Sequence, residues 1–345
     1  MEEPDKRISQ FDGIRAIAFL AVFFHHGISM PMGWMGVDVF FVLSGFLITR
    51  NLLELKAEAT AASSLRAFYF RRLIRITPPY YIAVTMVLLF DHAYTYDARW
   101  YYTFTSNIHD AFVHMDGGQL RAMWSIAVEE QFYLVWPFLV LFLPRRALPF
   151  AFAMLIAVAP ICRLLVQSID REAVYRLTTS RMDLLAAGAL LAYVDGRDAA
   201  WIRNRRIWFA TVAVLSAITF VGLGATHPSF RSQLNDPLFN VVGYSLSVAF
   251  CASVIAYVRS AQAGWLYGAL RIPALQFVGR ISYMAYLTHL FFLALFYKSF
   301  EKLPAATFAL AATLSFSALS WFLVEKPLLG LRKLVPPSPI RTAPG

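Results

Sequence analysis

The sequence predicts an all-α integral membrane protein of about ten transmembrane helices, with both termini cytoplasmic. Composition is the first ground: 59% of the 345 residues are hydrophobic and only 15% are charged, where a soluble domain carries about 25% charged residues. Apolar segments recur from end to end with no polar block between them. This predicts one membrane domain over 1–333 and a flexible tail over 334–345 that takes in "VPPSPIRTAPG". Charge gives the orientation: with the N-terminus inside, Lys and Arg in the loops favour the cytoplasmic side by about three to one. The net charge of +10 is therefore mostly topology and calls for no nucleic acid. A basic inner face also suits anionic lipid or an anionic cosubstrate.

The apolar segments are 14–28, 35–49, 78–90, 124–143, 148–167, 182–195, 207–224, 238–258, 281–299 and 304–324. Those near 20 residues cross a bilayer unaided. The shorter 35–49 and 78–90 need anchoring by flanking Trp, Tyr and Arg, or shielding by protein. The first, "FDGIRAIAFLAVFFHHG", has no small-residue cleavage site and reads as an uncleaved span. Arg15 and His26 are eleven residues apart, so they project from one helix face about 16–17 Å apart, with His25 about 80° away. Two readings stand for this pair: a snorkelling arginine with a histidine satisfied by a carbonyl, or two parts of one site. Cys162 and Cys251 fall inside apolar spans and read as free thiols.

The second segment, "GWMGVDVFFVLSGFLIT", brings Asp38 in from the outer side, a short loop away from His26. It reads either as a helix-start aspartate or as a carboxylate that orients the imidazole. Gly45 marks close helix packing. The cytoplasmic loop "LRAFYFRRLIRITPPYY" sets Arg66, Arg71, Arg72 and Arg75 among aromatics, which suits either forked binding of phosphates or an interfacial anchor. In "MWSIAVEEQFYLVWPFLVLFL", Glu129 and Glu130 lie side by side at the depth of His26, with Ser125 on the Glu129 face. Intramembrane carboxylates are functional by default, and His26 is the partner expected for one of them. Arg181 with Asp183, and Tyr286 with His289, read either as helix-packing hydrogen bonds or as parts of a site. His92 and Asp97 have an H-x4-D spacing without its companion motif and are set aside. No His/Cys cluster of metal-ligand type, Walker A motif or nucleophile elbow is present, so no metal is expected.

Seven stretches occur in order over residues 7–333: "FDGIRAIAFLAVFFHH", "GVDVFFVLSGFLIT", "FYFRRLIRITPPYY", "MWSIAVEEQFYLVWP", "RMDLLAAGALL", "VGRISYMAYLTH" and "VEKP". Together they resemble acyltransferase family 3, the integral-membrane O-acyltransferases that modify bacterial surface glycans and secreted metabolites. The resemblance implies a multi-pass protein of the inner membrane, with cytoplasmic acyl-CoA (acetyl-CoA first) as cosubstrate and a glycan or other hydroxyl as acceptor. The family's R-x10-H motif falls on Arg15 and His26, its R-x-x-R motif on Arg72 and Arg75, and its V-E-E-Q segment on Glu129, Glu130 and Gln131.

His26 is thus the expected general base, with Asp38, Glu129 and Glu130 as further catalytic candidates and the choice between Asp38 and Glu130 as its partner left open. Arg15, Arg71, Arg72 and Arg75 are the candidates for holding CoA, and Ser125, Tyr286 and His289 for contacting substrate. Direct transfer is favoured over an acyl-enzyme, for which Ser44 and Ser125 would be the carriers. Many relatives add a hydrolase-like domain after the last span, so that activity is expected either to come from a separate periplasmic or export partner or to be unnecessary. The competing class is a proton-coupled transporter or flippase, but no motif of the first half is echoed in the second.

Overall fold

The computed structural model describes residues 8–91, 98–113, 118–230 and 236–335. Lys6, Arg7, Arg231, Arg341 and the His92/Asp97 pair lie outside them. The described residues form helices α1 (Ser9–Ile28), α2 (Met35–Glu58), α3 (Ala61–Phe90), α4 (Ala98–Tyr102), α5 (Ser106–Val113), α6 (Met123–Phe142), α7 (Leu148–Ile169) and α8 (Ala173–Arg176). Then come α9 (Thr178–Arg197), α10 (Ala199–Asn204), α11 (Arg206–Thr226), α12 (Tyr244–Ser260), α13 (Trp265–Ala269), α14 (Pro273–Tyr297), α15 (Lys302–Ser320) and α16 (Lys326–Gly330). A π-helical turn, Phe239–Gly243, opens α12, and another, Trp321–Glu325, joins α15 to α16.

Among the described residues nine helices are long and apolar enough to cross a membrane. They account for nine of the ten expected segments. The tenth, 182–195, lies in α9, which has the length of a span but carries Arg181, Asp183, Asp195 and Arg197. Arg181 and Asp183 are met by neighbours instead of lipid. Arg163 of α7 is fully buried and bonds Asp183 at 2.6 Å, and Arg181 bonds Asp38 of α2. Large apolar side chains line the outside of α7 and α11, among them Phe150, Met154, Leu165, Ile207 and Ile218. A soluble protein does not leave such a surface to water. The chain is a multi-pass membrane protein.

The second difference concerns residues 50–77, expected as a cytoplasmic loop. Here α2 runs on to Glu58, where Lys56 donates to the carbonyls of Val140 (2.8 Å) and Leu143 at the end of α6. A cation there complements the helix terminus. Thr60 then caps α3 by accepting from the Ser63 amide. The arginines therefore ride on the first four turns of a 30-residue helix that continues through Pro78 and Pro79. Each proline removes one backbone donor. The Tyr283 hydroxyl donates to the Ile76 carbonyl at 3.3 Å, a neighbouring helix helping to hold the interrupted turn.

At the centre α2 packs on α9 with the backbones in contact. A Cβ on Gly45 would meet the Leu185 carbonyl oxygen at 2.0 Å, and one on Gly188 would meet that of Val42 at 2.0 Å. This is the close approach that Gly45 announced. With α1 and α14 alongside, α2 and α6 enclose the polar residues described next.

Candidate active site

The last turn of α1 carries His25 and His26, and α14 brings His289 against them. His26 Nδ1 and His289 Nε2 are 2.9 Å apart, with the rings stacked at 5.1 Å. His289 Nδ1 lies 2.7 Å from the Tyr286 carbonyl. A carbonyl only accepts, so His289 carries a proton on Nδ1, and in the neutral imidazole its Nε2 is then bare. His26 must then donate from Nδ1, which leaves the lone pair of its own Nε2 available. The tautomers follow from one backbone oxygen. His25 is held separately, its Nδ1 3.0 Å from the Met30 carbonyl.

Among the described residues no carboxylate bonds His26, contrary to the sequence expectation. Asp38 accepts from Arg181 and from Ser247 at 2.5 Å. Arg181 is fully buried between Tyr175 and Tyr244, 5.3 and 4.5 Å from their ring centres, and a buried guanidinium takes the nearest carboxylate. Glu129 accepts from Ser44 at 2.8 Å and Tyr133 at 2.7 Å. Glu130 Oε1 is buried without a hydrogen-bond partner among the described residues. Gln131 is a clamp between helices: it donates to the Phe104 carbonyl and to Asn107 of α5, and accepts from Thr178 of α9. The place foreseen for a carboxylate is held by a second histidine.

Two cavities flank this core. One, of about 70 Å³, is lined by Arg15, Arg72, Arg75 and Arg280 together with Ser44, Glu129 and Tyr133. Arg75 is exposed, and Arg72 lies over the rings of Phe68 (5.5 Å) and Tyr133 (5.2 Å). Arg71 does not line this cavity. The other, of about 280 Å³, is lined by His25, His26, Arg121 and Arg176 and by rings of Trp34, Trp124, Tyr175 and Tyr244. Arg15 thus opens to one cavity and His26 to the other, from one helix face. The histidine cavity suits a sugar-sized polar molecule against aromatic walls, and the arginine cavity suits an anion.

A family model described as an acyltransferase domain matches residues 8–325. The chain belongs to acyltransferase family 3. It is 28% identical over 94% of its length to the peptidoglycan O-acetyltransferase OatA of Listeria monocytogenes, of which the alignment covers 56%. It is 30% identical over 53% of its length to the O-acetyltransferase OatA of Staphylococcus aureus, covering 34% of that protein. The chain therefore spans about half the length, or less, of these curated relatives. No solved structure matches it.

In this acyltransferase the two cavities share two lining residues, Val37 and Tyr286. The Tyr286 hydroxyl lies 2.7 Å from Ser125 Oγ, and both hydroxyls reach the Ala122 carbonyl. Ser125 and Tyr286, singled out in the sequence, therefore stand at the seam between the cavities. His289 is buried behind the seam and contacts His26 instead of cavity space. Arg280, Tyr283, Arg121 and Arg176 were not singled out. Arg280, Tyr283 and Tyr286 follow at three-residue steps along one side of α14 and all line the arginine cavity. That spacing is readable in the sequence.

Proposed function

We propose that this acyltransferase is a membrane-bound O-acetyltransferase of the cell inner membrane, moving an acetyl group from cytoplasmic acetyl-CoA to a hydroxyl of a glycan or glycoconjugate. The observation that carries the reading is that α1 presents Arg15 to one cavity and His26 to the other, with the two cavities meeting at Tyr286 and Val37. The names of the relatives, O-acetyltransferases acting in one case on peptidoglycan, support the acyl group and the acceptor class.

CoA is a cosubstrate whose phosphates suit the forked guanidinium groups of Arg72, Arg75 and Arg280. Its extended uncharged arm then runs along the Arg15–His26 face towards the seam. His26 Nε2 takes the proton of the acceptor hydroxyl as that oxygen attacks the thioester carbon. His289 keeps the imidazole in the required tautomer. Glu129, bound to Ser44 and Tyr133, lines the same cavity as Arg15 and Arg72 and so fixes the inner wall.

The deciding measurement uses purified protein in detergent with acetyl-CoA and a soluble muramyl glycan. Equal amounts of CoA thiol and acetyl ester are expected. Uptake of glycan into proteoliposomes without thiol release would replace the reading with transport.

Two predictions attach to this route. Arg72→Ala or Arg75→Ala is expected to weaken acetyl-CoA binding by about 1.5–3 kcal/mol, the worth of a hydrogen bond to a charged group. The loss should shrink in high salt, because Arg75 is exposed. Unchanged affinity in the folded double variant returns these arginines to membrane anchoring. A cysteine at exposed Ala62 is expected to label only from the cytoplasm, and one at exposed Thr103 only from outside. The reverse pattern removes the donor route.

A further inference from the structure

The geometry points to the Tyr286 hydroxyl as the group that holds the thioester carbonyl oxygen during transfer, with Ser125 as the residue that positions it. The inference rests on the acyl-transfer reading above and adds a catalytic residue to it.

Location comes first. A thioester arriving from the arginine cavity must meet a hydroxyl from the histidine cavity where the two join. Of the two residues lining both cavities, Val37 has no side-chain proton to donate and Tyr286 has one.

The proton inventory comes next. The Ala122 carbonyl can only accept, and Ser125 Oγ donates to it at 3.0 Å. The phenol proton then goes to Ser125 Oγ at 2.7 Å, with Ala122 a longer alternative at 3.3 Å. It therefore rests on a neutral hydroxyl. Moving it to a developing oxyanion exchanges a neutral hydrogen bond for a charge-assisted one, a gain made only in the transition state. Ser125 keeps its own bond to Ala122 during the exchange, so no buried donor is orphaned.

The third ground is the coupling to the base. The carbonyl of Tyr286 fixes the His289 tautomer, and through it that of His26. One turn of α14 thus sets both the proton acceptor and the oxyanion donor. The ring itself is buried at 5% exposure, with Phe40 against it at 6.0 Å, so the hydroxyl has little freedom to wander.

The step balances as follows. The acceptor oxygen bonds to the thioester carbon while its proton passes to His26 Nε2, and the carbonyl oxygen becomes the oxyanion bonded by Tyr286. On collapse the carbon–sulfur bond breaks. The leaving thiolate takes the proton from the His26 imidazolium, giving an ester and CoA thiol.

The test compares the full chain with Tyr286→Phe and with versions carrying mono- and difluorotyrosine at 286, in the thiol-release assay with the soluble muramyl glycan. Tyr286→Phe is expected to lower kcat by about 10²–10³-fold, the cost of one oxyanion donor, with acetyl-CoA affinity within about twofold. The fluorinated phenols keep the ring in place while making the proton more acidic, so kcat should change with phenol acidity; a packing role would not follow acidity. Fluorotyrosine rates equal to wild type overturn the inference, as does a Tyr286→Phe variant within about threefold of wild type. Wild-type protein that transfers beside an unimpaired variant removes only this inference. Wild-type protein that transfers nothing removes the parent reading with it.

Discussion

His26→Ala is expected to insert, fold and bind acetyl-CoA as the wild type does, yet to transfer the acetyl group at least about 10²-fold more slowly. A sugar hydroxyl is a poor nucleophile at neutral pH, and a positioned base contributes typically about 10²–10⁴-fold. The imidazole is half-buried at the wall of the larger cavity, and among the described residues nothing bonds its Nε2. Two comparisons sharpen the test. His25→Ala should be mild, since that ring is tied to the Met30 carbonyl beyond the helix end. His289→Ala should fall between, at roughly tenfold, because it removes the acceptor that selects the tautomer but leaves the base. Rates in the opposite order, with His25 essential and His26 dispensable, would assign the base to the wrong ring.

Asp38→Ala is expected to destabilise the protein by about 3–5 kcal/mol, read as a fall in thermal unfolding temperature in detergent. It strands the fully buried Arg181 guanidinium, and a buried charge left without its partner costs that much. The loss should be largely recovered by Asp38→Leu combined with Arg181→Met, since exchanging a whole buried pair for apolar residues of similar size is often neutral. An unfolding temperature unchanged by Asp38→Ala would mean that this pair holds nothing together. Activity should suffer as well, because Arg181 sits between Tyr175 and Tyr244, two walls of the histidine cavity.

The same residue shows where sequence reading stopped. Asp38 is close to His26 in the chain, and a carboxylate near a histidine invited the pairing. Arg181 lies 143 positions away, beside Asp183 on another helix. No periodicity connects the two, so only tertiary structure could match them. The Arg15–His26 register was legible because it depends on nothing beyond 100° per residue along one helix, and the two side chains do open to cavities from one face. The loop expected at 50–77 was misread for a local reason. Four arginines and two consecutive prolines look like a break, while the cap at Thr60, which starts α3, is a single weak signal. His289 was noticed but assigned to substrate, since a histidine–histidine bond made across 263 residues leaves no trace in composition or spacing.

The seam at Val37 and Tyr286 has an electrical consequence. An enzyme that passes a group through the bilayer must not short-circuit it, and a water-filled bore from end to end would leak hydrated ions. Here the two cavities abut at one apolar and one aromatic side chain. In the proposed route only an uncharged thioester arm crosses that point, while the phosphates stay with the arginines. The proton lent to His26 returns to the sulfur at the same seam. No net charge then moves along the field in a catalytic cycle. Each elementary charge carried across would couple to about 2.3 kcal/mol per 100 mV, so turnover in energised vesicles should be indifferent to the membrane potential.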